Sequence, residues 1–415
     1  MMKPRVLLRW FVAAGLAVFA CCMPASADAA ASNDQVYDRA QQYQDEAVAL
    51  LGRLVNIDSG TGDHQGMSAI AAIATAELRA LGGAIEFVPN SNGPGENIVA
   101  RFSSSGRAKI LLIAHMDTVF AAGTARERPF RIQGRRAYGP GIQDDKGGIV
   151  AALYALKILR DVGFRNYERI TLLLNSNEET GSVGSRALIE RLAREHDVAL
   201  NLEPGRPADG LVIWRKGSAV ARIEVKGRSA HAGVAPDDGR NAAMELAHQI
   251  LQLSKLANRA LGTTVNFTVL SAGDRSNVIP DSAAAQGDVR AQVPEEFDRV
   301  ERQLATMSKN KLIPDTEVTT SLTRFFPVMQ QNDETDALAA KAQAIYGELG
   351  KKLTLEGSGG AADSSFSAGA GTPSLDGLGF VGGNSHSPDE YAELDSVAPR
   401  LYLLARLLME LSAAN

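Results

Sequence analysis

The stretch at residues 172–182, LLLNSNEETGS, is a run of leucines that ends in two adjacent glutamates, Glu178 and Glu179. Such a run is typical of a buried β-strand. Carboxylates beside a buried strand are costly unless they are paired or bound to a cation. The two acids therefore suggest a bound cation, although they could also only favour the dipole of a following helix.

The segments around this strand alternate between strand-like and helical patterns. Strands at 84–88, 97–103, 109–114, 169–175 and 197–203 accompany helices at 35–55, 67–82, 147–162, 183–194, 333–348 and 396–412. Strands that alternate with helices of this length form mostly parallel sheets. The sequence predicts the α/β class, with a mostly parallel sheet and helices on both faces, over residues 28–216 and 327–415.

Residues 217–326 follow a different pattern. Four strand-like runs and two helices, at 240–257 and 295–309, follow one another in the order βαββαβ. This order is typical of an antiparallel sheet with helices on one face. We expect an inserted α+β domain over 217–326.

The first 27 residues combine a basic start, an apolar run and small residues before a cleavage point. This pattern predicts a signal peptide, residues 1–27, and an exported, periplasmic protein without a membrane span after processing. A lipoprotein modified at Cys21 is the alternative. Both cysteines, Cys21 and Cys22, lie in this segment, so the mature chain would have no disulfide. A net charge of −5 without basic clusters argues against nucleic acid as a partner.

Further acidic and imidazole groups follow predicted strands or occupy loops. They are His115 and Asp117 in AHMDTV, Asp144 and Asp145 in GIQDDKGG, Glu203 in ALNLEPG and His386 in GNSHSPDEY. Each has a simpler interpretation: a surface histidine, a helix N-cap for the aspartates, or a solvent-exposed glutamate. Because ligands gather beyond the carboxyl ends of strands in open α/β sheets, we expect the groups to converge.

Two histidines and several carboxylates without cysteine suit zinc or a similar divalent ion. One histidine and two carboxylates for each of two metals, with one aspartate shared, would use this set completely. Two metals bridged in this way can hold a hydroxide between them. One of the adjacent glutamates would then bind metal, and the other would accept the proton of the water.

The motifs VNIDSGTGD, AHMDTV, AYGPGIQDDKGG, EETGSVGSR, RSAHAG, SNVIP and DVR, which span most of the chain, resemble the di-zinc aminoacylase/carboxypeptidase family of metallo-exopeptidases. The resemblance is greatest to its exported glutamate carboxypeptidases, which act on folates. It implies two Zn²⁺ per subunit, with these roles: His115 and Glu203 bind one ion, Glu179 and His386 bind the other, Asp144 bridges them, Glu178 is the general base and Asp117 orients His115.

The resemblance also implies that the inserted domain is a lid through which the protein forms a homodimer. His231 would polarise the scissile carbonyl, often from the partner subunit. The substrate would carry a free C-terminal carboxylate, with contacts expected from Asn277, Arg290, Gly359 and Gly360. Arg324 would hold an anionic side chain of the substrate, such as that of glutamate. The segment GSGGAADSSF has Ala361 and Ala362 where the family commonly has a third glycine and a threonine, and 204–212 offers Arg206 as its only cation. These departures leave the preferred side chain open.

Two other functions stay open at this point. One is an N-acyl-amino-acid deacylase or dipeptidase of the same family without a preference for glutamate. The other is a non-catalytic, exported protein that binds metal or amino acids. The presence of Glu178 beside Glu179 argues against the second, because a protein that only binds metal has no use for an unliganded base.

Overall fold

The computed structural model describes residue 1 and residues 27–93 and 95–413. The predicted signal peptide, with Cys21 and Cys22, lies outside the described residues except at its two ends. Among the described residues, no helix has the length and apolar character needed to cross a membrane.

The chain before the insertion contains six helices and eight strands in its described part. They are α1 (Ala27–Gln42), α2 (Gln44–Val55), α3 (His64–Ala80), β1 (Ala84–Pro89), β2 (Glu96–Ser103), β3 (Lys109–His115), α4 (Thr124–Glu127), β4 (Arg131–Gln133), β5 (Arg136–Tyr138), α5 (Lys146–Asp161), β6 (Arg169–Asn175), α6 (Arg186–Arg194), β7 (Val198–Asn201) and β8 (Leu211–Arg215).

The remaining elements belong to the insertion and to the C-terminal part of the chain. The insertion contains β9 (Gly217–Lys226), β10 (Ala230–His231), α7 (Ala242–Leu253), β11 (Thr264–Ala272), β12 (Val278–Ile279), β13 (Ser282–Ala291), α8 (Glu295–Met307) and β14 (Glu317–Phe326). After it come α9 (Asp333–Gly347), β15 (Leu355–Ser358), α10 (Ser364–Gly369), β16 (Ser374–Leu375), β17 (Gly382–Gly383), β18 (Tyr391–Glu393) and α11 (Val397–Ala413).

The leucine-rich strand β6 lies inside a six-stranded sheet with the order β1-β2-β6-β3-β7-β16. Strands β6, β3, β7 and β16 are parallel to one another, whereas β2 is antiparallel to both β1 and β6. The antiparallel pairings are therefore confined to one edge. The predicted α/β class with a mostly parallel sheet is confirmed.

Helices cover both faces of this sheet, as the sequence predicted. Alternate residues of a strand point to opposite faces. Ile110 and Leu112 of β3 pack in the core that includes α1, α2, α3, α5, α9 and α11, while Leu111 and Ile113 pack against α6 and α10. All four side chains are fully buried. A strand buried on both faces reads as a continuous apolar run, which explains the leucines of β6.

The insertion folds around a sheet of its own. Its four strands are antiparallel in the order β11-β13-β9-β14. Helices α7 and α8 pack on one face of this sheet, where Leu246 and Val300 meet Ile223 and Ala285. The observed βαββαβ order matches the prediction, and the short pairing of β10 with β12 is an addition to it.

Three differences between the predicted and observed elements change the path of the chain. The helix predicted over 35–55 is two helices, α1 and α2, separated at Tyr43. The helix predicted from 183 begins at Arg186, because Glu178–Thr180 forms a 3₁₀ turn and Gly181 then adopts a φ of 87°. The strand predicted through Glu203 ends at Asn201. Glu203 therefore lies in a loop beyond the strand rather than in the sheet.

Candidate metal centre and active site

Three neighbouring strands end at the same edge of the main sheet. Strand β3 lies between β6 and β7, and its last residue, His115, is in register with Asn175, the last residue of β6. Glu178 and Glu179 follow β6 by a few residues, and Glu203 follows β7. The parallel arrangement of these strands brings the side chains together beyond their carboxyl ends.

The carboxylate of Asp144 lies between two imidazoles. Its Oδ1 is 3.1 Å from Nε2 of His115, and its Oδ2 is 3.2 Å from Nε2 of His386. Nε2 of His386 is also 3.2 Å from Oε2 of Glu179, and Nε2 of His115 is 3.5 Å from Oε1 of Glu203. The structure thus brings the five predicted ligands together as two groups. Each group has one histidine, one glutamate and one oxygen of the shared aspartate.

Glu178, the predicted base, lies beside one of these groups. One of its carboxylate oxygens is within 4.8 Å of ligand atoms of His115 and Glu203. The side chain is buried. Burial raises the pKa of Glu178 well above its usual value, and the nearby negative charge of Glu203 raises it further. A carboxylate with a raised pKa is a stronger base, which suits proton transfer.

The carboxylates also change the pKa of both histidines. Hydrogen bonds to Asp144 and Glu179 raise the pKa of His386 to about 10. Burial lowers the pKa of His115, but hydrogen bonds to Asp117, Asp144 and Glu203 outweigh it, so the pKa is raised. A metal ion must displace the protons from its ligands, so the affinity for metal depends on pH.

The donor set fits divalent cations. Imidazole nitrogens and carboxylate oxygens are the ligands that zinc and related ions accept without cysteine. Oε1 of Glu179 is buried and has no hydrogen-bond partner among the described residues. Such an oxygen is costly to bury unless a cation compensates it.

Asp117 fixes the turn that carries the two glutamates. Its Oδ1 accepts the backbone N–H of Glu178 at 3.0 Å, and its Oδ2 accepts the N–H of Glu179 at 3.1 Å and the hydroxyl of Thr61 at 2.6 Å. Nδ1 of His115 is 3.0 Å from the backbone oxygen of Asp117 and 3.4 Å from its carboxylate. Asp117 therefore contacts His115 mainly through its main chain.

The adjacent aspartates of the DD motif have different roles. Asp145 caps α5, since its Oδ1 accepts the N–H of Gly148 at 3.1 Å, and its Oδ2 accepts the N–H of His115 at 3.2 Å. Asp144 alone faces the imidazoles. The N-cap interpretation is thus correct for one residue and the ligand interpretation fits the other.

Two buried carboxylates that support the site were not identified from the sequence. Glu390 accepts the backbone N–H groups of Gly141, Gln143 and Asp144 at 3.0 to 3.2 Å. Burial and the charge of Asp144 raise the pKa of Glu390 to about 7. The position of Glu390 in the motif HSPDEY was the only sequence feature that pointed to its supporting role.

The second is Asp363, which accepts hydrogen bonds from Ser182 and from Nδ2 of Asn175, the latter at 2.6 Å. Burial raises the pKa of Asp363 to about 6. Asp363 therefore connects the segment after β15 to the turn that carries Glu178.

His231 and Asn277 lie side by side on the β10–β12 ribbon of the insertion. His231 pairs with Val278, and the N–H of Ala232 donates to the carbonyl of Asn277 at 2.9 Å. The imidazole of His231 is exposed, and its Nδ1 accepts the N–H groups of the second and third residues after it, each at 3.2 Å. This pattern favours the tautomer with its proton on Nε2, which can donate to a ligand.

The predicted substrate contacts are dispersed. Arg290 pairs with Asp288 at 3.0 Å, and Nη2 of Arg324 pairs with Asp298 at 2.6 Å and with Glu301 at 3.0 Å. Among the hydrogen bonds and ion pairs of the described residues, none joins His231, Asn277, Arg290 or Arg324 to the predicted metal ligands. Gly359 and Gly360 follow β15, and the space beside Gly359 is open.

Residues 111–410 match the model of peptidase family M20/M25/M40. The chain is 37% identical to carboxypeptidase G2 of Pseudomonas sp. (strain RS-16) over 96% of this chain and 97% of the relative. It is 29% identical to a succinyl-diaminopimelate desuccinylase of Gluconacetobacter diazotrophicus over 83% of this chain and 91% of the relative.

The fold is similar to that of a tripeptidase from Staphylococcus aureus, with a TM-score of 0.77 at 21% identity over 89% of this chain and 99% of that chain. The family match and the 37% identical relative assign the chain. It belongs to peptidase family M20/M25/M40 and is a metallo-exopeptidase, a metal-dependent hydrolase, so the non-catalytic alternative is set aside.

Proposed function

We propose that this family member is an exported, zinc-dependent carboxypeptidase that hydrolyses the amide bond preceding a C-terminal residue. One observation carries the proposal: the two oxygens of Asp144 face His115 and His386 at 3.1 and 3.2 Å. A carboxylate whose two oxygens face different ligand groups can bridge two metal ions, as in sites where two metals act together. Asp144 has this arrangement, with one further glutamate on each side.

We assign two zinc ions to the site. His115 and Glu203 would hold one ion, Glu179 and His386 the other, and Asp144 both. When bound, the ions would supply positive charge that lowers the pKa of a coordinated water and polarises the substrate carbonyl.

Glu178 would accept the proton of the attacking water and pass it to the leaving amine. Its side chain is buried next to the ligand groups, and its backbone is held by Asp117 at 3.0 Å. These contacts fix the position from which the carboxylate acts. A base that is free of the metal can take and return a proton within one turnover.

The insertion would supply the remaining contacts when it closes over the substrate. The partner subunit's His231 would donate from Nε2 to the oxygen that gains negative charge on the scissile carbonyl. Asn277 and Arg290, together with the backbone of Gly359 and Gly360, would hold the C-terminal carboxylate of the substrate. Such contacts restrict cleavage to the chain end.

We also propose a homodimer formed through the insertion. Strand β11 lies at the edge of its sheet and exposes Val269 and Leu270 by 58% and 57%. Leu251 on α7 is 72% exposed. A second copy of the chain that covers this surface would remove apolar side chains and an open strand edge from water. Sedimentation of the wild-type protein and of Leu270→Asp tests this proposal, with a shift to monomer expected for the variant.

Glutamate is the residue that we propose is released, from folate-like or N-acyl-glutamate substrates. The proposal rests on the 37% identity to carboxypeptidase G2 and on the motifs that resemble glutamate carboxypeptidases. The second candidate is an N-acyl-amino-acid deacylase or dipeptidase without this preference. It is favoured by Arg324, whose guanidinium is paired with Asp298 and Glu301 rather than directed at the site.

A substrate panel separates the two. The zinc-loaded mature protein is incubated with a folate and with N-acyl derivatives of glutamate, leucine and alanine, and the free amino acids are measured. Glutamate released much faster than the others supports the carboxypeptidase. Faster release of leucine or alanine supports the deacylase or dipeptidase without a preference for glutamate. No release from any substrate contradicts both candidate functions.

A further inference from the structure

Arg215 is a buried cation beside one of the proposed metal ligands. Its side chain is only 3% exposed. Nε is 2.6 Å from Oδ2 of Asp376, Nη2 is 3.5 Å from Oε2 of Glu203, and Nη1 is 3.4 Å from the carbonyl oxygen of Gly360. Within the described residues, the pair of Arg215 with Glu203 is the one ion pair that joins a proposed metal ligand to an arginine or lysine.

The two oxygens of Glu203 have different partners. Oε1 is 3.5 Å from His115, on the side of the metal ligands, and Oε2 is 3.5 Å from Arg215. The guanidinium therefore limits the rotation of this carboxylate and directs one oxygen towards the site. A planar guanidinium with several donors can hold Glu203, Asp376 and Gly360 at once, which the single ammonium of a lysine cannot do equally well.

Asp376 keeps the guanidinium in place. Its Oδ2 also accepts a hydrogen bond from the hydroxyl of Ser364, and its Oδ1 accepts the N–H of Gly377 at 2.5 Å. Its backbone pairs with Val212 of β8, the strand that ends in Arg215. A buried charge is costly to remove from water unless its partners are well ordered, and these contacts order the pair.

The backbone of Arg215 lies where the inserted domain joins the rest of the chain. Its N–H donates to the carbonyl of Met329 at 2.9 Å, and the N–H of Met329 donates back at 3.2 Å. The insertion begins at Gly217 and its last strand ends at Phe326. The two connecting segments are thus hydrogen-bonded to each other at the residue whose side chain contacts Glu203.

We propose that Arg215 is a positioning residue that fixes the metal ligand Glu203 and couples it to the hinge of the inserted domain. The proposal rests on the proposed metal site. Movement of the hinge would shift the guanidinium and hence Glu203 and the loop at Gly360. Binding of metal would, in return, order the two connecting segments.

The test compares Arg215→Lys and Arg215→Met with the wild-type protein. The positive control is His115→Asn, which removes a ligand. The matched control is Arg299→Met, which breaks an ion pair with Glu296 inside the insertion. Zinc affinity is measured by competition with a chromophoric chelator, kcat and KM are measured on the best substrate, and melting temperature is measured with and without zinc.

We expect Arg215→Lys to fold and to bind one of its two zinc ions about 10- to 100-fold more weakly, the range for residues that orient metal ligands. Its kcat should fall more than its KM rises, and Arg299→Met should change only the melting temperature. Wild-type zinc affinity and kcat in Arg215→Lys would overturn the proposal. So would a folded Arg215→Met that melts earlier but binds zinc normally, because the ion pair would then serve stability alone.

Coupling to the hinge has its own measurement. Hydrogen exchange of peptides that cover 211–217 and 326–330 is followed with and without zinc. Zinc should slow exchange there in the wild-type protein and have little effect in Arg215→Lys. Equal slowing in both proteins would overturn the coupling. A wild-type protein that binds no zinc, together with a His115→Asn variant that behaves as the wild type does, would contradict the proposed metal site itself. That outcome is distinct from a failure of the coupling alone.

Discussion

Oδ1 of Asp117 accepts the backbone N–H of Glu178 at 3.0 Å. An aspartate that follows β3 therefore holds the turn after β6, which carries the proposed base. Oδ2 of the same carboxylate accepts the N–H of Glu179 at 3.1 Å. The loop after β3 and the turn after β6 are therefore fixed to each other. Asp117 positions the proposed base and one proposed metal ligand as well as His115.

Asp117→Asn should weaken zinc binding and lower the stability of the metal-free protein. The amide would present N–H groups to a site where N–H donors already point, leaving at least one buried donor unpaired. We expect a loss of about 1–3 kcal/mol in the free energy of unfolding and about 10- to 100-fold in zinc affinity. Urea denaturation and chelator competition measure these two quantities.

The control for this variant is Thr61→Val, which removes only the hydroxyl that donates to Asp117 at 2.6 Å. We expect it to cost less stability and to bind zinc as the wild-type protein does. Normal zinc affinity in Asp117→Asn would show that the carboxylate does not position the ligands.

Glu178→Gln should abolish most turnover while both zinc ions stay bound. The amide cannot accept the proton of the attacking water, and the expected loss is at least about 10²–10⁴-fold in kcat. Metal content and steady-state kinetics check the prediction. Glu179→Gln is the matched control, expected to lose affinity for one zinc. If Glu178→Gln loses zinc instead, Glu178 is a ligand, which its position within 4.8 Å of His115 and Glu203 would also allow.

The fold and the convergence of the five candidate ligands could be predicted from the sequence because both depend on local patterns. The leucines of β6 and the apolar run of β3 marked strands buried on both faces, and parallel strands place the residues after their carboxyl ends at one edge of the sheet. The order of elements in the insertion was predicted from strand and helix patterns alone. The ends of elements were not predicted. The 3₁₀ turn at Glu178–Thr180, for example, is held by Asp117, which lies 61 residues earlier in the chain.

The supporting residues were harder to predict because their partners are remote in sequence. Glu390 accepts backbone groups that precede it by 246 to 249 residues, and Arg215 contacts Asp376, 161 residues later. Almost any residue type can supply a backbone N–H donor, so no sequence motif indicates these contacts. Asp144 faces the imidazoles and Asp145 caps α5, and this difference likewise depends on where the loop directs each side chain.

Zinc binding should release a proton from His386. Hydrogen bonds to Asp144 and Glu179 raise the pKa of His386 from 6.5 to about 10. The proton therefore stabilises the metal-free fold fully below about pH 6.5, and this contribution is lost as the pH rises through about 10. Zinc must displace that proton, so its apparent affinity should increase with pH across this window.

Calorimetric titration in two buffers with different heats of ionisation counts the protons released. His386→Asn should release at least one fewer than the wild-type protein at about pH 7.5, a value inside this window. An exposed histidine outside the site, His64→Asn, is the control and should leave the count unchanged. An unchanged count in His386→Asn would mean that this imidazole is not protonated before zinc binds.

His231 should act in the active site of the partner subunit. No hydrogen bond or ion pair within the described part of the chain joins it to the proposed metal ligands of its own subunit, and its Nε2 is free to donate. His231→Ala should therefore lower kcat without changing zinc affinity. Heterodimers of His231→Ala with Glu178→Gln, purified through two different tags, would contain one site with both wild-type residues. Their activity should be about half that of the wild-type dimer.

The reference for this experiment is the heterodimer of wild type with Glu178→Gln, which also has one intact site. The matched control replaces His231→Ala by His248→Ala. His248 is a half-buried histidine of the insertion, and its Nε2 lies 3.0 Å from the carbonyl oxygen of Asn310. Both should show about half activity wherever His231 acts. If the mixed His231→Ala and Glu178→Gln dimer is as inactive as its parents, His231 serves its own subunit, and closure of the insertion must carry it there.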